Sequence, residues 1–186
     1  MARKKTGQRL SREDWLENAL TELSRKGQAG LRIEGLSAAL GVSRGSFYWH
    51  FEDRDDFVHS LLEYWYEEYT AGAPAAVGRD GGSPEERLLR LMRVVHDQDL
   101  TRHDLTMRTL ATFDSQFSRI VRKTDRFRLD FVESLFVEMG FVDDELRIRS
   151  RACLAYMTME HIMFDPLDRK HRSTLVDGLH AFLVRK

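Results

Sequence analysis

The residues whose types and spacing are most informative lie in one short segment, residues 43–51, which reads SRGSFYWHF. On a helix, at about 100° per residue, Phe47 and Phe51 share one face and would pack into a core. The opposite face presents small, hydroxyl-bearing and aromatic side chains: Gly45, Ser46, Tyr48 and Trp49. Small residues let a backbone approach a duplex, hydroxyl groups and helix N-termini bind phosphate, and an aromatic edge contacts thymine methyls. Because packing alone hardly explains a tryptophan at the centre of a solvent face, the pattern indicates nucleic-acid binding.

Two short predicted helices, residues 32–40 and 43–51, position these side chains and are joined by Gly41 and Val42. Two helices with so short a connection are the layout of a helix-turn-helix. Gly41 suits a tight turn that needs a positive φ, Val42 can fill the angle between the helices, and Ser43 can cap the second one. The segment therefore predicts a module that lays its second helix along DNA.

The whole chain predicts an all-α protein of nine helices, with no strand and no internal repeat. Its 186 residues, 42% of them hydrophobic, suit one domain or a small module on a larger one. Only three prolines interrupt it, and Ser11, Asp53 and Ser83 stand where N-caps belong. Residues 72–84, rich in glycine and proline, predict a loop. The helices are predicted at about residues 11–27, 32–40, 43–51, 54–71, 84–97, 102–113, 116–139, 144–164 and 173–184.

Charge and cysteine content exclude several classes of protein. The net charge is −1, but it is unevenly distributed. Residues 1–51 hold nine basic and five acidic side chains and so carry a charge of +4, which leaves −5 for residues 52–186. The lone Cys153 can form neither an intrachain disulfide nor a cysteine zinc site. Without a metal motif, a glycine-rich nucleotide loop or a nucleophile–base pair, we expect no cofactor, no metal and no catalytic residue. Without a membrane-length apolar run or a secretory signal, we expect a cytoplasmic protein with no membrane partner.

The run GVSRGSFYWHFEDRDDF, residues 41–57, resembles the DNA-binding signature of the TetR family of bacterial transcriptional regulators. In that family a GVS turn leads into a recognition helix that ends in Tyr-x-His-Phe, followed by a capping residue and a basic residue. The resemblance implies a helix-turn-helix DNA-binding domain over residues 1–52 and a ligand-binding and dimerisation domain over residues 53–186. It implies phosphate contacts from Ser43, Ser46, Tyr48 and His50, close backbone approach at Gly45, major-groove contacts from Arg44 and Trp49, and a DNA-backbone contact from Arg54.

Two positions depart from the family pattern. Many members have threonine where this chain has Arg32, and alanine where it has Ser37. Arg32 can still reach a phosphate, so it is included among the DNA-binding residues, although an ordinary solvated arginine is an equal alternative. Tyr48 and His50 have the alternative of packing against a neighbouring helix. The basic arm of Arg3, Lys4, Lys5 and Arg9 is either a solvated tail or a minor-groove contact.

For residues 53–186 the resemblance implies a pocket and a homodimer formed by the last two helices. The predicted pocket lining is Met92, His96, Met107, Phe113, Phe127, Phe131 and Tyr156, which suits an apolar or aromatic effector. The predicted dimer surface comprises Ala152, Cys153, Tyr156, Met157, Glu160, Met163, Leu175, Leu179, Phe182 and Leu183. An ordinary monomer core is the alternative for both sets, and a buried inert thiol is expected at Cys153.

These expectations describe a homodimeric repressor that binds a palindromic double-stranded DNA operator and responds to an unknown small-molecule effector. Its two recognition helices would stand about 34–36 Å apart to enter successive major grooves. One alternative is a helical enzyme or ligand carrier with a non-functional helix-turn-helix. The other is an interaction protein that uses Trp49 as a hot spot for a protein partner.

Overall fold

The computed structural model describes residues 10–79, 81–164 and 168–186, and these residues contain helices and turns but no strand. The basic arm of residues 3–9 lies outside the described residues. A 3₁₀ turn covers Gly27–Leu31 and a π turn covers Glu67–Ala71. The α-helices are α1 Arg12–Lys26, α2 Ile33–Leu40, α3 Arg44–Phe47, α4 Arg54–Tyr66, α5 Gly72–Gly78, α6 Pro84–Asp97, α7 Asp104–Ala111, α8 Ser115–Glu138, α9 Asp143–Met163 and α10 Arg169–Val184.

The predicted all-α class is confirmed. Because the π turn joins α4 to α5 without a break, these elements form one continuous helical segment. Counted in this way, the described residues contain nine helical segments, which is the predicted number. The chain divides into two compact units, Met1–Trp65 and Tyr66–Lys186, called the head and the body below. The head thus includes all but the last residue of α4, whereas the predicted domain boundary follows residue 52.

Local capping chemistry explains where several helices begin and end. The Ser11 hydroxyl accepts from the Asp14 N–H at 3.1 Å, and the Asp14 carboxylate accepts from the Ser11 N–H at 2.8 Å, which starts α1. The same reciprocal pair joins Ser83 and Glu86 at the start of α6, at 3.3 and 2.9 Å. α1 ends at Gly27, whose φ of +60° favours glycine. These predicted caps are confirmed.

The 3₁₀ turn after α1 is held close to that helix at Gly30. A Cβ added to Gly30 would lie 2.2 Å from the backbone carbonyl oxygen of Glu22. Only glycine can approach a backbone so closely. Gly30 therefore fixes the turn against α1 and sets the direction in which the chain enters α2.

The predicted loop over residues 72–84 is wrong in its first half, because α5 covers Gly72–Gly78. The preceding π turn explains the difference. The Gly72 N–H donates to the Glu67 carbonyl, five residues back, so the turn is wider than a regular α turn. A wider turn leaves room for the ring of Pro74, which has no N–H and clashes with the carbonyl of a regular preceding turn. The helix therefore continues through a sequence that reads as a break.

The core of the body is formed by one face each of α6, α8, α9 and α10, with Val77 of α5. Its fully buried members include Leu88, Leu135, Phe136 and Cys153. α10 begins four residues earlier than predicted, because Asp168 caps it by accepting from the His171 N–H at 2.9 Å. None of the helices in the described ranges is long and apolar enough to cross a membrane.

Candidate nucleic-acid interface and ligand cavities

The recognition segment, residues 43–51, is an α-helix only over Arg44–Phe47 and continues as turns. The Phe51 N–H still donates to the Phe47 carbonyl at 3.0 Å, which keeps the chain coiled to that point. The predicted nine-residue helix is therefore wrong beyond Phe47. Gly45 contributes to the early end, because glycine weakens a helix by about 1 kcal/mol relative to alanine.

The two faces of the recognition segment are divided as its sequence predicts. Phe47 and Phe51 are 0% and 1% exposed, whereas Tyr48 and Trp49 are 60% and 76% exposed. The exposed position of Tyr48 speaks against its packing into a neighbouring helix. The tryptophan ring thus lies on the outside of the head, where a partner molecule can reach it.

An aromatic cluster holds the segment in place from beneath. The Phe47 ring packs edge-on against Trp15 and Phe57, with centroids 5.6 and 5.2 Å away. Phe51 packs against Phe47 and Phe57 at 5.0 and 4.9 Å. Such contacts add to the stabilisation from area burial and restrict the rings to defined orientations. The backbone of the segment is therefore firmly anchored to α1 and α4.

Arg12, the first residue of α1, holds the end of the recognition segment and is a residue that the sequence analysis missed. Its guanidinium donates to the His50 carbonyl at 3.3 Å and to the Ser60 hydroxyl at 2.5 Å. It also lies 3.6 Å from the Asp56 carboxylate and 5.0 Å from the centre of the Phe51 ring. Since these partners are about 40 or more positions away in the chain, nothing in the sequence distinguishes Arg12 from other surface arginines.

The structure brings the predicted DNA-backbone ligands Arg32 and Arg54 to one cleft of the head. Glu34 lines the same cleft and was not predicted to belong to the site. The Glu34 carboxylate pairs with the Arg44 guanidinium at 3.0 Å, and both side chains are well exposed. Because exposed ion pairs contribute only about 0–1 kcal/mol, phosphate or a base edge can compete for Arg44.

The predicted cap at Ser43 is wrong. Ser43 has the backbone conformation of an N-cap residue, but its hydroxyl makes no capping bond within the described residues. In a capped helix the Ser43 hydroxyl would accept a hydrogen bond from the Ser46 N–H. Here the Ser46 N–H donates to the Ser43 carbonyl at 3.0 Å instead. The exposed Ser43 hydroxyl is therefore free to meet another molecule, while Ser46 and His50 are half-buried beside it.

The body contains two small cavities that adjoin each other. The first, called the apolar cavity, has a free volume of about 40 Å³, and most of its wall is hydrocarbon. The second, called the polar cavity, has a free volume of about 30 Å³ and is lined by titratable and apolar side chains. Both cavities are bordered by Val95, Thr101 and Met157.

Arg128 of α8 is a charged residue in the wall of the apolar cavity. It forms an ion pair with Asp104 of α7, and the two side chains are only 12% and 1% exposed. It also donates to the Thr70 hydroxyl at 2.9 and 3.1 Å and to the Tyr69 carbonyl at 3.4 Å. Because a buried charge is tolerated only when it is paired and hydrogen-bonded, this network ties α7 and α8 to the π turn.

A family model described as bacterial regulatory proteins, tetR family, matches residues 16–61, from α1 through the recognition segment into α4. The match covers 46 of the 186 residues and includes the recognition segment. The HTH-type transcriptional regulator AcrR of Shigella flexneri is 30% identical over 113 residues, which are 51% of this chain and 53% of AcrR. The regulator TtgR of Pseudomonas putida is 26% identical over 88 residues, 47% of this chain and 42% of TtgR. The chain spans about half of the length of these curated relatives.

Solved structures share the fold of this chain over nearly its whole length. The crystal structure of AibR in complex with isovaleryl coenzyme A and operator DNA has a TM-score of 0.70 at 18% identity, over 93% of this chain and 97% of that one. A transcriptional regulator from Rhodococcus sp. Rha1 has a TM-score of 0.72 at 18% identity, over 94% and 96%. At such identities the likeness concerns the fold alone.

In the body, the predicted pocket residues separate into three groups. Phe127 and Phe131 line the apolar cavity, and the polar cavity is lined by Met92, His96 and Tyr156. Met107 is fully buried and borders neither the apolar nor the polar cavity. Phe113 is 86% exposed and is likewise not brought to either one, because α7 ends at Ala111 and leaves Phe113 on the turn that follows.

The structure also divides the predicted dimer surface. Cys153 and Leu183 point into the core of the body instead of outward, and burial raises the pKa of the Cys153 thiol to about 12. Large apolar side chains that do lie exposed on α9 and α10 are Ile148, Met163, Leu175 and Phe182. Ile148 was not predicted, and it lines a shallow groove together with Phe182. The remaining role assignments, for DNA, effector and dimer contacts, stay predictions.

Proposed function

We propose that this protein is a DNA-binding transcriptional repressor, not an enzyme, that binds a palindromic operator as a homodimer and is released by a small-molecule effector. The observation that carries the proposal is the recognition segment. It is anchored by a buried aromatic cluster, presents Trp49 and Tyr48 to solvent, and lies inside the part of the chain that matches the TetR family. The structural neighbour AibR, described with both operator DNA and isovaleryl coenzyme A, supports a combination of DNA and effector binding in this fold.

In the proposed complex, different side chains around the recognition segment contact the DNA backbone and the base edges. Arg32 and Arg54, in one cleft, contact the DNA backbone with the hydroxyls of Ser43, Ser46 and Tyr48 and with His50. Gly45 lets the backbone approach, and Arg44 and Trp49 read base edges in the major groove. Arg12 positions the segment by holding the His50 carbonyl.

The test of DNA binding uses the intergenic DNA beside the protein's own gene in a fluorescence anisotropy titration at several salt concentrations. We expect tight binding whose affinity falls steeply with salt, because phosphate contacts release counterions. Trp49→Ala should weaken specific binding about tenfold or more, whereas Phe113→Ala, which removes an exposed aromatic ring of the body, should not. Absence of salt-dependent binding would favour the ligand-carrier alternative. Loss of a protein complex with normal DNA binding in Trp49→Ala would favour the interaction-protein alternative.

Three further variants test the assignment of roles within the interface. Tyr48→Phe removes a phosphate contact and should weaken binding to all sequences alike, whereas Arg44→Ala should relax the preference for one base. Glu34→Gln removes the carboxylate that pairs with Arg44 and should tighten binding. Equal effects of the Tyr48 and Arg44 variants on every sequence would contradict the division between backbone and base contacts.

The proposed homodimer uses the exposed apolar side chains of α9 and α10. Ile148 and Phe182 line one groove, and apolar side chains that lie together on a surface are typical of self-association sites. Phe182→Glu should convert a dimer into a monomer in sedimentation velocity experiments, while Leu105→Glu, at an exposed position of α7, should leave it unchanged. A monomeric wild-type protein that binds its operator tightly would contradict the proposal.

The proposed switch acts through the continuous helical segment that begins with α4. An effector bound in the cavities of the body would displace α4 and change the spacing of the two recognition segments. A coupling free energy of about 1–3 kcal/mol would lower operator affinity by about 5–150-fold. A ligand that raises the melting temperature yet leaves operator affinity unchanged would contradict this mechanism.

A further inference from the structure

The polar cavity contains four buried polar atoms that have no hydrogen-bond partner among the described residues. They are both ring nitrogens of His96, the phenol oxygen of Tyr156 and Nε of Arg172. The His96 ring lies 3.8 Å from the Asp97 carboxylate, and Arg172 Nε lies 3.9 Å from the Glu160 carboxylate, both beyond hydrogen-bond distance. Because an unpaired buried polar group is costly, four of them around one cavity form a set that a polar ligand would satisfy.

The unpaired atoms define the chemistry of the head group that fits among them. Burial raises the pKa of Tyr156, and the charge of Glu160 adds to this against the opposing effect of Arg172, so the phenol keeps its proton and donates. The Arg172 guanidinium can only donate, and a neutral His96 ring donates from one nitrogen. The cavity thus offers up to three donors to a single group. A carbonyl-type oxygen accepts from all three donors. An ammonium group could pair with Glu160 of the lining, but it would leave the Arg172 donor unpaired and would add a second positive charge beside that guanidinium.

The neighbouring apolar cavity fixes what the rest of the ligand must be. It adjoins the polar cavity along Val95, Thr101 and Met157, and most of its wall is hydrocarbon. One water molecule needs on the order of 10–15 Å³ of free volume. The free volumes of about 40 and 30 Å³ therefore admit groups the size of roughly three water molecules in the apolar cavity and two in the polar one. These sizes match a short hydrocarbon chain and one small head group.

We infer that the two cavities form one binding site for short acyl compounds. The aliphatic chain, about three carbons long, lies in the apolar cavity, and its carboxylate or carboxamide lies between His96, Tyr156 and Arg172. The inference rests on the proposed role of the body as the effector-binding part, and it names the chemical class of that effector.

The test measures the melting temperature of the full chain with butyrate, butyramide and butylamine, followed by titration calorimetry of the compounds that bind. At ten times the dissociation constant, a ligand of the native state should raise the melting temperature by about 3–6 °C. We expect such a rise with butyrate or butyramide and none with butylamine. At one common concentration, a larger rise with butyrate than with butyramide indicates that the charge of Arg172 is used, and equal rises indicate recognition through the carbonyl oxygen alone. No rise with either oxygen-headed compound, or an equal rise with butylamine, overturns the inference.

Single substitutions test the proposed head-group contacts. Tyr156→Phe and His96→Phe keep an aromatic ring while they remove the unpaired polar atoms, and each should weaken butyrate or butyramide binding about tenfold. Without ligand, both variants should melt at the wild-type temperature or higher, because they remove buried polar atoms that lack partners. Tyr64→Phe, the same change in the head, should leave acyl binding unaltered. Unchanged affinity in both cavity variants overturns the inference.

Failure of this inference differs from failure of the proposed function. If the protein binds its operator but neither acyl probe, the ligand class is wrong and the regulatory function stands. If an acyl probe binds with the expected dependence on Tyr156 and His96 but leaves operator affinity unchanged, the ligand class stands and the proposed switch is wrong.

Discussion

The head and the body place their polar groups in opposite ways. The head fills its interior with aromatic rings and presents its candidate DNA contacts, such as Trp49 and Arg44, to solvent. The body buries charged and polar groups, among them Arg128 and His96, around two small cavities. An outward interface needs only a stable platform, whereas an inward site makes stability depend on how each buried polar group is paired. Substitutions in the two units should therefore impair the protein for different reasons.

The largest effect is expected from Asp104→Ala in the body. The change leaves the Arg128 guanidinium buried without its carboxylate, and loss of one partner of a buried pair costs about 3–5 kcal/mol. Thermal unfolding followed by circular dichroism measures the loss. All three tryptophans lie in the head, so their fluorescence reports separately on that unit.

The matched control is Asp177→Ala, which breaks the exposed Arg93–Asp177 pair of the same body. The N–O distance is 2.9 Å, but the side chains are 49% and 47% exposed, so the cost should stay below about 1 kcal/mol. Equal losses of unfolding free energy in the two variants would show that burial of the Asp104–Arg128 pair does not increase the cost of breaking it.

In the head, Gly30→Ala should destabilise by about 1–3 kcal/mol, because the new methyl group would lie 2.2 Å from the Glu22 carbonyl oxygen. Gly35→Ala is the matched control, since a Cβ there meets no atom of the described residues within 4 Å. Gly35 lies inside α2, so its replacement should stabilise by up to about 1 kcal/mol. Tryptophan fluorescence during denaturant unfolding measures both changes, and two changes of the same sign would contradict the close approach at Gly30.

A smaller effect separates stability from function within the head. Ser11→Ala removes a capping hydroxyl and should cost about 1 kcal/mol of folding free energy. Ser43→Ala should leave stability nearly unchanged, because the Ser43 hydroxyl makes no cap bond in the described structure. The same variant should bind operator DNA more weakly, as anisotropy titrations would measure. A stability loss at Ser43 as large as at Ser11 would contradict the observed hydrogen bonding.

The last prediction concerns the chemical reactivity of the Cys153 thiol in the body, and it requires no change in the free energy of folding. Because burial raises the pKa of Cys153 to about 12, the thiol is protonated at pH 8 and is also covered. A disulfide reagent at pH 8 should leave the native protein unlabelled and should label one thiol per chain after unfolding. Ser43→Cys, a new thiol on the exposed surface of the head, should react at once in the native protein. Rapid labelling of native Cys153 would show that the body opens readily.

The head was predictable because its informative residues are close together in the chain. Ser11, Gly27 and Gly41 mark turns and caps through local backbone chemistry, and the face of Trp49 follows from helical spacing. Contacts that join distant segments escaped prediction, such as Arg12 with the His50 carbonyl. A local pattern also overestimated α3, because helix length depends on the tertiary contacts that take over after Phe47.

The body was less predictable because its cavities collect residues from several helices and the turns between them. A stripe of apolar residues has the same spacing whether it lines a core or a cavity, so Met107 and Phe127 could not be told apart. Arg128, next to Phe127 in the chain, reads as a solvated arginine until α7 supplies Asp104. Phe113 was misplaced by an error of two residues in the end of α7.

The π turn at Glu67–Ala71 makes chain length itself a determinant of structure at this point. An α-helix advances about 100° per residue, and a π turn holds more residues than an α turn. A single helical wheel drawn through α4 and α5 therefore loses phase at the turn. Deletion of one residue there should return the turn to α geometry and restore one helical phase through α4 and α5, a change that no substitution of one side chain for another can produce.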